Sequence, residues 1–204
     1  MKKLMIIGAS GHGKVVADIA EKNGYEKIGF LDDNTSLKEC VGFPVVGKSS
    51  DVDKYKDWEF VVAIGNATVR QQLQNRLERQ NYKIAILIHP RAVIGLGVEI
   101  GAGTVVMAGV VVNSGTSIGK GCIINTCGSV DHDCVIGDYV HISVGAHLAG
   151  TVHVGQSTWV GIGAVISNNI GICDRCMIGA GAVVISNIIE KGIYVGVPAK
   201  RVHK

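Results

Sequence analysis

A six-residue period in the second half of the sequence constrains the fold more than any other feature. Every sixth residue from Ile94 to Val184 is Ile, Val or Leu, and the series has sixteen members without an exception. In a chain of this composition about a third of the positions are aliphatic, so chance does not produce such a series. A second series, two residues before the first, is mostly small or β-branched, as at Thr104, Cys122 and Ala146. A fixed short period indicates a stack of repeated units.

The spacing within each hexad predicts very short strands. Residues two apart on a strand face the same side, so the small residue and the large aliphatic of each hexad both point inward. The two residues after the aliphatic are expected to turn a corner, where Gly, Asn and Asp tolerate a positive φ. The pattern runs from residue 94 to residue 189 without interruption. It predicts a solenoid in which each coil buries its interior against the next.

Residues 1–90 carry a different pattern, in which short apolar runs alternate with segments of helical spacing. Strands followed by helices predict a small Rossmann-like α/β domain with a parallel sheet. The sequence therefore predicts two domains, residues 1–90 and residues 91–204. The expected strands are Leu4–Ile7, Ile28–Leu31, Phe60–Ile64 and Ile84–Ile88, and the expected helices are Lys14–Glu21 and Thr68–Arg79.

A glycine-rich loop between the first strand and the first helix is a candidate nucleotide site. The loop comprises Gly8 to Gly13, and its glycines let a phosphate approach the backbone at the start of a helix. Asp32 ends the second strand, where a carboxylate can accept hydrogen bonds from a sugar hydroxyl. The spacing G-x-x-G-x-G departs from the dinucleotide fingerprint, and a tight turn without a ligand is the alternative. An NAD-dependent oxidoreductase needs a larger domain than 90 residues, so a mononucleotide or nucleotide sugar fits better.

One histidine of the repeat differs from the others in its surroundings. His132 lies two residues after Val130, at an expected corner, and Asp131 and Asp133 flank it. A neighbouring carboxylate orients an imidazole and raises its basicity, so His132 is the best candidate for a general base. The alternative is a polar surface residue, which we expect for His147, His153 and His203.

Charge and composition exclude several classes of protein. A net charge of +3 is too small to indicate nucleic-acid binding. No apolar run approaches the roughly 20 residues that span a membrane, and the first residues do not resemble a secretory signal, so we expect a cytoplasmic protein. The six cysteines are then expected as free thiols. Cys173 and Cys176 form a C-x-x-C without a second pair of ligands, so they are interpreted as packing residues and no metal is expected.

Motifs along the whole chain resemble those of one family. They are GASGHGKVV, FLDD, VVAIGNATVR, LIHPRAVIG, INTCGSVDHDCVIGDYVHISVGAHLAGTVHVG and YVGVPAKRV. The sequence is similar to the sialic-acid O-acetyltransferase-like sugar acyltransferases, which include the UDP-4-amino-sugar N-acetyltransferases of bacterial glycan synthesis. The resemblance implies a left-handed parallel β-helix of hexapeptide repeats, with three hexads in each coil. It also implies a homotrimer that binds acetyl-CoA and a nucleotide sugar.

The same resemblance assigns residues to roles. His132 matches the general base and Asp133 the acid beside it, although the family often has Glu there. The residues implied for acetyl-CoA are His141, Gly150, Ile162 and Ala180, and those implied for the nucleotide sugar are Ser10, Gly11, His12, Asp32, Asp33 and Gly65. The implied reaction is direct acetyl transfer to an amine or a hydroxyl of a nucleotide-linked sugar. A sugar O-acetyltransferase and a non-catalytic trimeric nucleotide-sugar-binding protein remain the alternatives.

Overall fold

The structure, a computed structural model, describes residues 1–202, so His203 lies outside the described residues. The chain divides into two compact units, Met1–Pro90 and a second unit that begins at Arg91. Within residues 1–202 no helix is long and apolar enough to cross a membrane.

The first unit is an α/β fold built around a mainly parallel sheet. The sheet has the strand order β3-β4-β2-β1-β5-β6, and every pairing is parallel except that of β3 with β4. The elements are β1 (Lys3–Ile7), α1 (Gly11–Lys22), β2 (Lys27–Leu31), β3 (Glu39–Cys40), β4 (Phe43–Gly47), a 3-10 helix (Asp51–Tyr55), β5 (Glu59–Val62), α2 (Ala67–Arg79), β6 (Lys83–Ile84) and β7 (Leu87–Ile88).

The core of this unit lies on both faces of the central strands. Leu4, Met5 and Ile6 of β1 are fully buried, as expected for a parallel strand covered on both sides. One core cluster joins strand and helix residues, with Phe60 of β5 and Leu77 of α2 among its members. The central strands therefore hold their carboxyl ends, and the loops that follow them, on a rigid support.

The sequence analysis missed two parts of the first unit, the β3–β4 hairpin and the 3-10 helix, and misplaced several element bounds. The helix α1 begins at Gly11, three residues before its predicted start at Lys14. The β3–β4 hairpin was not predicted, because β3 has only two residues and Pro44 interrupts any strand signal in β4. The third predicted strand extends to Ile64, whereas β5 ends at Val62. The predicted strand Ile84–Ile88 is divided into β6 and β7, which Ala85 and Ile86 separate.

The second unit is a left-handed parallel β-helix with eighteen residues in each coil. Its strands stack in three sheets, and most have only two residues. We call these sheets I, II and III. Sheet I contains β10 (Val105–Val106), β13 (Ile123–Ile124), β16 (His141–Ile142), β19 (Trp159–Val160), β22 (Met177–Ile178), β24 (Ile193–Val195) and β25 (Lys200–Arg201); sheet II contains β8 (Val93–Ile94), β11 (Val111–Val112), β14 (Ser129–Val130), β17 (His147–Leu148), β20 (Val165–Ile166) and β23 (Val183–Val184); sheet III contains β9 (Glu99–Ile100), β12 (Ser117–Ile118), β15 (Val135–Ile136), β18 (His153–Val154) and β21 (Gly171–Ile172).

Both predicted inward series form the interior of the β-helix. Val106, Ile124, Val130 and Ile142 are completely buried, and so is Thr104 of the small series. The hydroxyl groups of the threonines in that series make hydrogen bonds between coils. The Thr104 hydroxyl, for example, donates to the Gly119 carbonyl at 2.8 Å and accepts from the Cys122 N–H at 2.9 Å. The fold class predicted from the hexads is thus confirmed.

The corners differ from the expectation in one detail. A positive φ occurs at the third residue after each aliphatic, one residue later than expected, in every corner from Gly97 to Gly181. The glycines directly after the aliphatics have another cause. A Cβ at Gly101 would lie 2.5 Å from the Lys120 N, and one at Gly137 would lie 2.7 Å from the Gln156 N. Those positions favour glycine because the next coil passes so close.

Candidate active site

His132 lies at the exposed corner between β14 and β15. Its backbone is held from both sides: the Thr151 N–H donates to the His132 carbonyl at 2.9 Å, and the Asp133 N–H donates to the Ser114 carbonyl at 3.1 Å. The side chain remains 58% exposed. The β-helix therefore presents a solvent-accessible imidazole on a rigid backbone.

Asp133 fixes the orientation of the His132 ring. Its Oδ2 lies 2.8 Å from Nδ1 of His132, and its backbone has the left-handed φ of 57° that is shared by this corner position. This hydrogen bond, followed by the charges of Asp131 and Asp133, raises the pKa of His132 above its ordinary value. The shorter Asp side chain thus reaches the imidazole, and Nε2 has no hydrogen-bond partner among the described residues.

Gly150 packs directly against that nitrogen. It lies eighteen residues after His132, so the two residues stack on successive coils. A Cβ at Gly150 would lie 2.5 Å from Nε2 and 2.6 Å from Cε1 of His132. Only glycine leaves room for the ring in this position. Among the described residues none accepts a hydrogen bond from the Gly150 N–H, which makes this group available beside the imidazole.

His141 belongs to a ladder of polar and aromatic side chains on sheet I. Its ring stacks on Trp159 of the next coil, with centroids 5.1 Å apart and an angle of 21° between the planes. The Nδ2 of Asn125 lies 3.1 Å from Nε2 of His141. The Trp159 indole N–H donates to the Ser143 hydroxyl at 2.6 Å. These contacts orient the imidazole on the face of the sheet.

The predicted acetyl-CoA residues fall on two different sides of the β-helix. The corner that carries His132 and Gly150 joins sheets II and III, whereas His141 lies on sheet I, the opposite side of the triangle. Ile162 and Ala180 are exposed at the corners that follow β19 and β22, at the edge of the sheet that carries His141. A single chain brings His132, Asp133 and Gly150 together, and it does not bring His141, Ile162 and Ala180 to them.

The predicted nucleotide-sugar residues lie in loops at the carboxyl ends of β1, β2 and β5. Ser10 is exposed at the start of α1, and Gly11 has open space where a side chain would be. His12, in the first turn of α1, is half-buried, and Gly65 is exposed before α2. Parallel sheets commonly bind ligands at this edge.

The loop from Gly8 to Gly13 owes its shape to two of its glycines. Gly8 has a φ of 109°, which side chains rarely adopt. A Cβ at Gly13 would lie 2.1 Å from the Gly8 carbonyl oxygen. The turn therefore needs glycine at both positions even without a ligand.

Asp32 and Asp33 are both engaged within the first unit. The Asp32 carboxylate accepts from the Ala9 N–H at 2.7 Å and from the Asn34 N–H at 2.8 Å. Asp33 accepts from the backbone and the hydroxyl of Ser49, both at 2.9 Å. Asp32 thus ties the glycine loop to the end of β2, a role that the sequence did not predict. A cleft of about 520 Å³ opens beside it, with Lys38 and Lys48 in its wall.

The cysteines form no disulfide among the described residues. Cys134 is completely buried, as expected for an inward position. The sulfur atoms of Cys173 and Cys176 lie 3.4 Å apart, and burial raises the pKa of Cys176 to about 11. No group of three or more metal-ligating side chains that could hold an ion occurs within residues 1–202.

Comparison with known proteins places both units in one family. Residues 3–77 match a family model described as the PglD N-terminal domain. The acetyltransferase domain of PglB from Neisseria gonorrhoeae is 39% identical, with a TM-score of 0.95 over 99% of this chain and 100% of that one. PerB from Caulobacter crescentus, solved with CoA and GDP-perosamine, is 33% identical, with a TM-score of 0.95 over 100% of this chain and 98% of that one.

The chain belongs to the UDP-4-amino-sugar N-acetyltransferase family. A curated relative is the UDP-N-acetylbacillosamine N-acetyltransferase of Bacillus subtilis, which is 36% identical over 112 residues. That alignment spans 52% of this chain and 52% of the Bacillus protein, so the chain spans about half the length of that relative.

Two residues of this N-acetyltransferase-family chain were missed by the sequence analysis. Asn125 and Trp159 hold His141 from the coils below and above. The signal was present in the spacing, since Trp159 lies eighteen residues after His141 and therefore stacks on it. Asn125 occupies the same hexad position as Asp131, and both polar residues replace the frequent glycine there.

Proposed function

We propose that this chain transfers an acetyl group from acetyl-CoA to the amine of a nucleotide-linked amino sugar. The proposal rests on the exposed His132 imidazole, whose Nδ1 is hydrogen-bonded to Asp133 while Nε2 lies against Gly150 without a hydrogen-bond partner among the described residues. The names of the relatives support an amine as acceptor, because the Bacillus protein is an N-acetyltransferase and PerB was solved with CoA and an amino-sugar nucleotide.

The geometry supports a direct transfer. The neutral amine attacks the thioester carbonyl, and Nε2 of His132 takes the proton that the nitrogen loses. The resulting imidazolium is stabilised by the Asp133 carboxylate on Nδ1. The Gly150 N–H is suited to donate to the oxyanion of the tetrahedral intermediate. When the intermediate collapses, the C–S bond breaks and the CoA thiolate takes up the proton.

The nucleotide sugar is proposed to bind the loops of the first unit. The backbone at Ser10 and Gly11 and the positive end of α1 suit a diphosphate. Asp32, Asp33, His12 and Gly65 border the same loops. The relatives carry different nucleotides in their names, UDP for the Bacillus protein and GDP for the PerB ligand. The experiment below therefore compares different nucleotides as the carrier of the amino sugar.

The separation of the two residue sets supports an assembly in which two copies share each site, and the family resemblance implies that this assembly is a homotrimer. His141, Ile162 and Ala180 meet His132 and Gly150 if a second copy packs its sheet I side against the corner of the first. Each sheet exposes apolar side chains for such packing, including Val135 at 44%, Trp159 at 43% and Val165 at 42%. A cyclic trimer repeats this contact three times and closes it. Acetyl-CoA as co-substrate and free thiols in residues 1–202 support a cytoplasmic location.

A panel of acceptors tests this function. The protein is incubated with acetyl-CoA and UDP-, GDP- or dTDP-linked 4-amino sugars, each paired with the 4-hydroxy analogue. We expect one CoA thiol and one N-acetylated product per turnover with the amino sugars alone. Acetylation of the hydroxy analogues alone would instead indicate an O-acetyltransferase. Binding of nucleotide sugars without any release of CoA would indicate a non-catalytic binding protein.

A further inference from the structure

The turn that carries His132 contains a second carboxylate, which the proposed mechanism does not use. Oδ1 of Asp131 accepts from the His132 backbone N–H at 2.8 Å and from Nδ2 of Asn113 at 2.6 Å. Asn113 lies eighteen residues earlier and occupies the same position in the coil below. One carboxylate oxygen therefore links the backbone of the base to the neighbouring coil.

Other corners show what this hydrogen bond replaces. In the described part of the chain, the N–H of the second residue after the aliphatic makes no hydrogen bond to the backbone of a neighbouring coil. In the corner between sheets III and I, an Asp of the following coil accepts it: Asp138 accepts from the Lys120 N–H at 2.9 Å, and Asp174 accepts from the Gln156 N–H at 3.0 Å. The His132 corner cannot use that arrangement, because the residue above it must be Gly150 to make room for the ring. Asp131 supplies the acceptor from within the turn.

Asn113 keeps this acceptor charged and in place. Its hydrogen bond, with that from the His132 N–H, lowers the pKa of the Asp131 carboxyl below its usual range. The turn is tied further by the Thr116 hydroxyl, which donates to the Asp131 carbonyl at 2.7 Å. The backbone of His132 is thus fixed from the coil below through one amide and one hydroxyl.

Asp131 and Asp133 are the charged groups of this turn. Residues 113–115 of the coil below and 149–151 of the coil above are uncharged. His147, on the strand that leads into the coil above, places Nδ1 2.8 Å from the Ser129 hydroxyl. Cys134, which follows the turn, is buried, and its pKa is raised. The imidazolium that forms during proton transfer therefore faces two carboxylates.

We propose that Asp131, held by Asn113, is a positioning residue for His132: it fixes the backbone of the base and adds negative charge behind the imidazolium. The proposal rests on the proposed function for its consequence in catalysis. Its structural part, the coupling of Asn113 and Asp131 to the imidazole, concerns the free protein and does not depend on the identity of the acceptor.

The experiment combines a titration with kinetics on the full chain. NMR of selectively labelled histidine follows the titration of His132 in the wild type and in four variants. These are Asp131→Asn, Asn113→Ala, Asp131→Ala and the double variant that combines Asp131→Ala with Asn113→Ala. Asp174→Asn is the matched control, because it makes the same chemical change in an Asp that accepts a backbone N–H at another corner. Thermal unfolding is measured for each variant to identify any that fails to fold.

We expect Asp131→Asn to keep the turn folded, since an amide oxygen still accepts the His132 N–H, and to lower the pKa of His132. The acid limb of the kcat–pH profile should move to lower pH with it, and maximal kcat should fall about threefold to tenfold with little change in KM. The double variant should be no slower than Asp131→Ala alone, because Asn113 acts through Asp131. Asp174→Asn should titrate and turn over as the wild type does.

Two results would overturn the proposal. One is a His132 titration in Asp131→Asn that superimposes on that of the wild type. The other is an additive loss of kcat in the double variant, which would mean that Asn113 acts independently. Failure of the proposed function has a different signature: the wild type would transfer no acetyl group, while the titration would still report the coupling of Asp131 to His132.

Discussion

At the scale of single residues, the sequence placed His132 and predicted that a neighbouring carboxylate would hold its ring, whereas the separate contacts of the two acids could not be derived from it. The hexad phase placed it at a corner between two acids. The phase could not show that Asp133 would bond Nδ1 while Asp131 bonds the backbone, because both acids are direct sequence neighbours of His132. The stacking of Gly150 on His132 followed instead from the eighteen-residue coil that the family resemblance implied, and the structure adds that Nε2 is the nearest ring atom.

Replacing His132 tests the assignment of the base. We expect His132→Ala to lower kcat about 10²–10⁴-fold, as for loss of a general base, with little change in the affinity for acetyl-CoA. His132→Asn keeps the approximate size but cannot take the proton, so it should be nearly as slow. His147→Ala is the control, because that ring lies on the flat face of sheet II. Steady-state kinetics and calorimetric titration with acetyl-CoA measure the two effects, and near-normal turnover of His132→Asn at neutral pH would refute the assignment.

Replacing Asp133 tests how the imidazole is tuned. The hydrogen bond from Asp133 raises the pKa of His132, and a base works only in its neutral form, so the rate should increase as pH rises through that pKa. Asp133→Asn removes the charge, lowers the pKa of His132 and moves the rising limb of the kcat–pH profile to lower pH. The maximal rate should fall less than in His132→Ala. An unchanged profile would show that Asp133 does not tune the base.

Gly150→Ala tests the close packing beside Nε2. The new Cβ would lie 2.5 Å from that nitrogen, so the His132 ring must turn away from its position. We expect kcat to fall at least tenfold while the folded state persists, because alanine fits the backbone where φ is not positive. Gly171→Ala is the control, since a Cβ there meets only Oδ1 of Asn187 at 3.7 Å. Equal activity of the two variants would contradict the packing argument.

At the scale of elements, the period of six predicted the strands and their inward residues but not everything built on them. Inward burial depends on the hexad phase alone, so Thr104 and Val106 follow directly from the sequence. The ladder of Asn125, His141 and Trp159 depends on which hexads stack. The period of six does not give this stacking, but the three hexads per coil that the family resemblance implied do, so the ladder could have been predicted. The β3–β4 hairpin was missed because two residues and a proline carry no alternation.

The glycine loop of the first unit provides the prediction at this scale. A Cβ at Gly13 would lie 2.1 Å from the carbonyl oxygen of Gly8, so Gly13→Ala must separate α1 from the end of β1. We expect a lower melting temperature and a higher KM for the nucleotide sugar, with an unchanged affinity of the β-helix for acetyl-CoA. Gly24→Ala is the control for the loss of a glycine in this unit, because its Cβ would meet nothing within 4 Å, although its φ of 77° carries some strain. A higher KM in both variants would indicate general destabilisation rather than displacement of the loop.

At the scale of the whole molecule, the proposed site residues lie on two sides of the β-helix, and with the family resemblance this predicts a homotrimer. The corner with His132 lies between sheets II and III, and the residues around His141 lie on sheet I. Sedimentation equilibrium should therefore give three times the mass of the chain. Trp159→Asp places a charge among exposed apolar side chains of sheet I and should dissociate the trimer and abolish activity together. A stable monomer that turns over normally would exclude a shared site.

Mixing two inactive variants tests the shared site directly. In a trimer whose sites each use His132 from one chain and His141 from the next, co-expression of His132→Asn with His141→Ala leaves some interfaces with both histidines. Random assembly of equal amounts makes about a quarter of the sites intact, since each side is unaltered half of the time. We expect His141→Ala to be slow because it removes a proposed contact to acetyl-CoA, and His132→Asn to be slow because it removes the proposed base. The mixture should regain about a quarter of the wild-type rate. If one chain held both histidines in its site, every chain in the mixture would carry a lesion and no activity would return.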